Sequence, residues 1–494
     1  MNPEHLANDS TDEKVKALER CVLDLIPLLA TWKNSFVKVN RLPPEIIARV
    51  GWFLPSRDIY AGLRVCRYWH NVLMSPEIWS DIDLDHIGVA QIFLSRSKGV
   101  PINIRITQSP GEMQLSTLSD CSSRIRSLDI TFRAVSKCLL THFSNTPASL
   151  MRHLRVGISP TYSHLPSTFF TGSLPSLRSL VLSDLSSDLT HLVLPNLTTF
   201  TMSRSTTSDT ALSLSSLLDF LERSPLLENL YLNYHSRYED PVATKRIVTL
   251  HRLESVHISG QPLTPADASR GLLAHLSLPL GVMVELRINP RELETDIVAR
   301  AIPLHHDLIP CTKSIKKIEF QCMPSNFCVM AFSGDYGVLR IFANWRVDCE
   351  AFTTRSICSF GSLDVSGVET LVVEGYDDDL RHFTQALATL TSLRSLTLLD
   401  CDNKSLLHAL RNERMSPRLQ HLTMDFTHTR GTHVADLVGV AEARKLRGLK
   451  LETLSLDLSS RDAGLVGDIA SLQEYVGSLE DIADIRSDWW PLIL

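Results

Sequence analysis

After residue 120 one spacing of apolar positions returns along the chain: an apolar residue, two others, an apolar residue, one other, an apolar residue. Leucine is the commonest choice, with Ile, Val, Met or Phe in its place. The pattern begins at Ile125-Leu128-Ile130, Met151-Leu154-Val156, Leu177-Leu180-Leu182 and Leu197-Phe200-Met202. It continues at Leu227-Leu230-Leu232, Leu253-Val256-Ile258, Met283-Leu286-Ile288 and Ile315-Ile318-Phe320. It ends with Val368-Leu371-Val373, Leu393-Leu396-Leu398, Leu419-Leu422-Met424 and Leu451-Leu454-Leu456. Successive starts are 20 to 32 residues apart, except for a gap of 53 in which Val338-Ile341-Ala343 is a poor candidate for one more copy. The last two apolar positions share one face of a short strand, and the residue between them faces the other way. Between strands the spacing turns helical, at Leu214, Leu217, Leu218 and Leu221 and again at Leu380, Phe383, Leu387 and Leu390. The pattern predicts an α/β chain in which stacked parallel strands are covered by helices.

The first 120 residues read differently. Val15, Leu18, Val22, Leu25 and Leu29 recur at helical spacing over 12–37, and Pro27 should bend or break that helix. It is expected to pack on the segment after it. There, Pro43 and Pro44 suit a first helical turn, and Ile46, Ile47, Val50 and Phe53 recur on one face. Leu54-Pro55 stops that helix. Ser56 or Asp58 can cap a second, carrying Ile59 and Leu63. Val65, Cys66, Trp69, Val72 and Leu73 form a third apolar stripe that ends near Pro76. Gly51, inside the first of these helices, costs about 1 kcal/mol against alanine. Three short helices cannot bury so many large side chains among themselves. Some of Ile46, Val50, Leu63, Val65 and Trp69 must pack on the rest of the chain or on a partner. Beyond Trp79, Ile82 and Leu84 read as a strand, 87–97 as a helix, and Ile102-Ile104-Ile106 as an alternating strand.

Composition narrows the function. The 494 residues are 44% hydrophobic and 21% charged, enough for a large folded core. A net charge of −6 argues against nucleic acid as a partner, which wants clustered Lys and Arg. The first residues hold no apolar signal core, and no run of 18 apolar residues occurs, so no membrane partner is expected. Ten cysteines without a C-x-x-C pair read as reduced thiols of a cytoplasmic or nuclear protein. Cys322 and Cys328 lack the further ligands a zinc site needs, so neither a metal nor another cofactor is expected. No nucleophile-elbow, dinucleotide or phosphate-loop motif occurs, and no catalytic residue is expected.

Residues 42–79, LPPEIIARVGWFLPSRDIYAGLRVCRYWHNVLMSPEIW, resemble an F-box, the helical motif that docks onto a Skp-family adaptor. The repeated pattern resembles leucine-rich repeats. Together they resemble the F-box/leucine-rich-repeat architecture, particularly the expanded fungal group. The Asn or Cys usual beyond each repeat strand is missing except at Cys401, so an irregular, open solenoid is expected, disturbed near 321–366. The implied organisation is a disordered tail (1–11), an amino-terminal helix (12–38), an F-box (39–80), an atypical capping repeat (81–120), a solenoid (121–460) and a carboxyl-terminal cap (461–494). The resemblance implies a non-enzymatic substrate-recognition subunit of a Skp–cullin–F-box ubiquitin ligase, with an adaptor, through it a cullin, and a protein substrate as partners. The rival expectation is a repeat scaffold that binds partners without assembling a ligase.

By motif position the adaptor contacts are Leu42, Pro43, Ile46, Ile47, Val50, Leu63, Val65, Cys66 and Trp69. For the substrate, the residues between the strand leucines are mixed in charge, and Tyr231, Tyr234, His257 and Arg287 on adjacent repeats form a candidate anchor. Ordinary solvated side chains remain the alternative there. Asp377-Asp378-Asp379 suits a helix amino terminus, 203–216 a polar connector, and the apolar SDWWPLIL end a cap on the last repeat.

Overall fold

The computed structural model describes residues 3–108, 111–132, 148–158, 174–183, 189, 192–203, 213–234, 246–260, 266–288, 301–303, 308–323, 326–334, 337–344, 363–374, 384, 387–399, 401, 404–412, 415–424, 433–456 and 465–481. Leu380, Phe383, Asp377 to Asp379, most of 203–216 and the SDWWPLIL end lie outside them. The chain divides into two compact units, 1–131 and 132–494.

The first unit opens with a helix, α1 (Pro3–Ser35), which starts ahead of the expected residue 12 and runs through Pro27. Its apolar residues do not pack on the next helices, against expectation: Leu18, Leu25 and Leu29 are all more than half exposed. Three short helices come next, α2 (Pro44–Phe53), α3 (Ser56–Gly62) and α4 (Arg67–Leu73). They close around Leu73, Ile47 and Ile59. Gly51 of α2 and Gly62 of α3 both abut Leu73. A Cβ on either would stand 2.6 Å from one of its methyl carbons. Gly51 is therefore the contact by which α2 meets α4, and its weak helix propensity is outweighed by that approach.

Trp79, fully buried, joins the helices to the strands. Its Nε1 donates to the Leu73 carbonyl at 2.8 Å, and its ring meets Tyr60 and Phe93 edge-on at 5.8 and 4.8 Å. Strand β1 (Asp81–Asp83), helix α5 (Ile87–Arg96), strand β2 (Ile102–Ile106), helix α6 (Glu112–Cys121) and strand β3 (Ile125–Phe132) come after it. The three strands are parallel, with Ile82, Ile104 and Leu128 in one row. Asp85, just after β1, accepts from the N–H groups of Thr107 and Gln108 at 3.0 Å and so ties the two strand ends together. Partial burial opposes its charge, but the Thr107 hydroxyl, which also donates to it, and those N–H groups together hold its carboxyl below the usual value.

The second unit is a mixed α/β fold with a long, mainly parallel sheet, consistent with a repeat solenoid. Strands β4 (His153–Ile158), β5 (Ser179–Ser183), β6 (Thr199–Ser203) and β7 (Asn229–Tyr234) lie side by side. A two-residue strand β8 (Val248–Thr249) pairs separately with β10 (Leu276–Ser277). The main sheet continues through β9 (Ser255–Gly260) to β11 (Met283–Ile288). Helix α7 (Leu214–Glu222), between β6 and β7, is capped by Ser213 and buries Leu214, Leu217, Leu218 and Leu221.

The expected disturbance takes a definite form. Strands β12 (Lys317–Met323), β13 (Asn326–Phe332) and β14 (Val338–Asn344) form an antiparallel run, yet β14 is parallel to β11 and β12 is parallel to β15 (Thr370–Glu374). The spatial order is thus β11-β14-β13-β12-β15, and the all-parallel expectation is corrected at β13. Val338-Ile341-Ala343, the poor candidate, is a true strand in frame with Met283-Leu286-Ile288. Gly337, at φ +110°, lets the chain enter β14 against Val282, whose carbonyl oxygen would stand 2.2 Å from any Cβ there. Strands β16 (Ser395–Leu399), β17 (His421–Met424), β18 (Thr453–Leu456) and β19 (Ser478–Asp481) then extend the sheet in parallel.

In place of an asparagine ladder, a backbone fork recurs at the strand entries. Arg178 and Ser179 both donate to the Arg152 carbonyl, and Thr198 and Thr199 to that of Arg178. Glu228 and Asn229 do the same to Thr198, as do Glu254 and Ser255 to Glu228. It resumes with Glu369 and Thr370 on Lys316, Arg394 and Ser395 on Glu369, Gln420 and His421 on Arg394, and Glu452 and Thr453 on Gln420. Cys401 adds a thiol bond to the Val373 carbonyl of the preceding repeat at 3.6 Å. Helix α8 (Ala266–Leu273) precedes β10, and α9 (Lys404–Leu410), α10 (His433–Leu446) and α11 (Leu465–Tyr475) separate the last strands. Arg444 of α10 is 2% exposed and donates to the carbonyls of Met415, Ser416 and Leu419. Burial pushes its guanidinium below its ordinary value, as no carboxylate pairs with it among the described residues.

This packing sets two expected outcomes. Gly51→Ala, stabilising by about 1 kcal/mol in an open helix, should here lower the unfolding midpoint of the first unit, because overpacking costs about 1–3 kcal/mol. Arg444→Met should lower the stability of the second unit by about 2 kcal/mol, since three carbonyls lose their donor while one buried charge is relieved. Denaturant titration followed by circular dichroism measures both.

Candidate functional site

The nine expected adaptor residues do not share one environment. On α2 the residues i, i+4 and i+7, namely Ile46, Val50 and Phe53, face outward at 45%, 41% and 80% exposure. Ile47 lies on the opposite face beside Gly51 and is fully buried, so it belongs to the core and not to an accessible surface. Leu42 and Pro43, just ahead of α2, are exposed, and the Leu42 carbonyl is held by the Tyr68 hydroxyl at 2.6 Å. Val65 is exposed on the turn between α3 and α4. Leu63, Cys66 and Trp69 are half-buried.

Trp69 is a tether. Its Nε1 donates to Asn40 Oδ1 at 2.9 Å, and Asn40 Nδ2 donates to the Asn34 carbonyl at 2.8 Å. Asn40 thus links the end of α1 to α4. Sequence reasoning missed Asn40 and the exposed Trp52, whose Nε1 donates to the Glu77 carbonyl at 2.9 Å. Phe53 had the signal, since it shares the spacing of Ile46 and Val50. The surface so formed is apolar and can bind by burial of area.

The candidate substrate residues come together in part. Tyr231 and His257 are direct neighbours across β7 and β9, with rings stacked at 4.6 Å and 12°. Arg287 does not join that row. The partner of His257 on β11 is Glu285, because β11 is offset by two residues from the frame its leucines suggested. An offset of two keeps the same face and changes the row. The nearly buried Glu285 carboxylate accepts from Arg287 Nε at 2.7 Å and lies 3.7 Å from His257 Nδ1. The Arg287 guanidinium reaches 5.2 Å from the Phe342 ring centroid on β14. Glu285 and Phe342 were therefore missed. Of Tyr234 only the backbone is described, at the end of β7 beside Gly260. The arrangement offers a flat aromatic stack and a carboxylate clasped by arginine.

Burial pushes the thiols of Cys328 and Cys311 up to about 12 and that of Cys121 up to about 11, so these three stay protonated. Among the described residues no three His, Cys, Asp or Glu side chains gather as a metal site, and no helix is long and apolar enough to cross a membrane.

Comparison with known proteins gives this geometry a class. An F-box-like family profile matches residues 39–85, which contain α2, α3, α4 and Trp79. The chain carries an F-box-like domain, a module of protein interaction. No curated protein matches the chain. Among solved structures it is similar to the crystal structure of a TLR13–ssRNA13 complex, at 14% identity over 77% of this chain and 42% of that one, with a TM-score of 0.25. The chain thus spans about two-fifths of that protein's length, and a likeness this distant carries no argument.

Proposed function

We propose that the protein is a non-enzymatic substrate-recognition subunit of a Skp–cullin–F-box ubiquitin ligase. The observation that carries this reading is the exposed apolar row Leu42, Ile46 and Val50 inside a matched F-box-like segment. F-box-like domains generally bind Skp-family adaptors, and an apolar helix face held rigid by a buried opposite face suits such docking. The adaptor brings a cullin. The repeat sheet holds a protein substrate, with Tyr231, His257, Glu285 and Arg287 in contact with it. Rate enhancement then comes from proximity and orientation, with no chemistry performed by this chain. Its place is the cytoplasm or nucleus.

Co-purification with a Skp-family adaptor tests the docking face. Leu42→Ala with Pro43→Ala, or Ile46→Asp alone, should weaken adaptor binding at least about tenfold, the scale set by burying one large apolar side chain. Binding unchanged in both variants removes the assignment. Recovery of a cullin with the adaptor separates a ligase subunit from a scaffold that only docks. On the substrate side, Tyr231→Ala and Arg287→Glu should each deplete the proteins labelled by a proximity enzyme under proteasome block, while adaptor labelling persists. An unchanged set of labelled proteins counts against this face.

A further inference from the structure

Helix α1 carries a second apolar pattern that the F-box-like segment does not use. Val15, Leu18, Val22, Leu25, Leu29 and Trp32 succeed one another at alternating steps of three and four. Each is between 48% and 68% exposed. That alternation is a heptad, in which Val15, Val22 and Leu29 hold position a and Leu18, Leu25 and Trp32 hold position d. A seam with a 3.5-residue period runs straight along a helix only when another helix supercoils against it. Three features select the occupant. Valine at a with leucine at d, as in the first two heptads, favours two parallel strands. Lys14 flanks the seam at position g and Glu19 at position e, five residues on, so in a parallel pair the lysine of one copy meets the glutamate of the other. In an antiparallel pair g faces g, and Lys14 would find no glutamate. Pro27 falls at position f, on the outer side, where its ring does not enter the seam.

We propose that α1 pairs in parallel with α1 of a second copy of this chain, making the protein a homodimer through a two-stranded coiled coil. This inference does not depend on the ligase reading.

Sedimentation of the 494-residue chain tests it. The natural protein should sediment as a dimer. Leu18→Glu and Leu25→Glu, at position d, should each yield a monomer. Leu23→Glu changes an equally exposed leucine at position b, outside the seam, and should leave the dimer intact. Lys14→Glu should raise the dimer dissociation constant about tenfold, because two symmetric ion pairs become repulsive, and adding Glu19→Lys should restore it. In a Cys21→Ser background, Leu18→Cys should form a disulfide-linked dimer on mild oxidation, since d faces d only in a parallel, in-register pair. A monomeric natural protein overturns the proposal. So does a dimer that survives Leu18→Glu and Leu25→Glu, or one lost equally with Leu23→Glu, which would mark unspecific apolar association. Leu42→Ala with Pro43→Ala should leave sedimentation unchanged, so failure of the adaptor reading and failure of this one are told apart.

Discussion

A strand whose alternate side chains are apolar can bury them only when another strand lies in register beside it, and the rest of each unit depends on meeting that condition. In the second unit the row Leu154, Leu180, Phe200, Leu230 and Val256 crosses five strands without a slip. The row Ile318, Leu371, Leu396, Leu422 and Leu454 crosses five more. Between them the chain meets the same condition by another route. Strand β14 is in frame with β11, and β12 with β15, and the strand that joins the two through connections too short for a parallel crossover must run antiparallel. Strand β13 does so, burying Val329 and Ala331 on the same side as its neighbours' apolar residues.

The absence of a ladder of asparagines shifts the burden of the turns onto the backbone. Two successive N–H groups on one carbonyl do at most entries what a side-chain amide would do, and they make no demand on residue type. The repeats can therefore differ in length and in their connecting segments without losing the stack. At β11 the fork is reduced to Met283 on Glu254, and there the frame slips by two. That slip places Glu285 beside His257 and gives the aromatic stack a carboxylate neighbour.

How much of the fold and site was legible depends on the kind of information each pattern encodes. The three-residue motif fixes direction and face, so the parallel strands, the strand at β2 and the helix α7 stand where their apolar residues put them. It says nothing of β13, because alternation alone is the same in both directions. Nor does it fix rows, because any even offset preserves the face, and so Arg287 was placed one row from where it lies. On α2, Ile46 and Ile47 are neighbours in sequence and look alike, yet about 100° of helical turn separates an exposed face from the core. Leu18 and Leu25 look like core residues from spacing alone. Their exposure shows that periodicity identifies a face and cannot name what covers it.

Gly51 decides which face of α2 stays out. The helix carries apolar residues on both sides, and a glycine on one of them removes the side chain that would hold α4 away. Leu73 then approaches closely, and Ile47 and Gly51 are committed to the core. With that side fixed, Ile46, Val50 and Phe53 have no route inward, since turning the helix would drive Leu73 against a full-sized side chain. Tyr68 holds the chain just ahead of them through the Leu42 carbonyl, and Trp69 anchors α4 to Asn40, which also holds the last turn of α1. The exposed row is thus the counterpart of a close helix contact on the other side. A change that loosened the Gly51–Leu73 contact would blur the outward row even though it touched none of its residues.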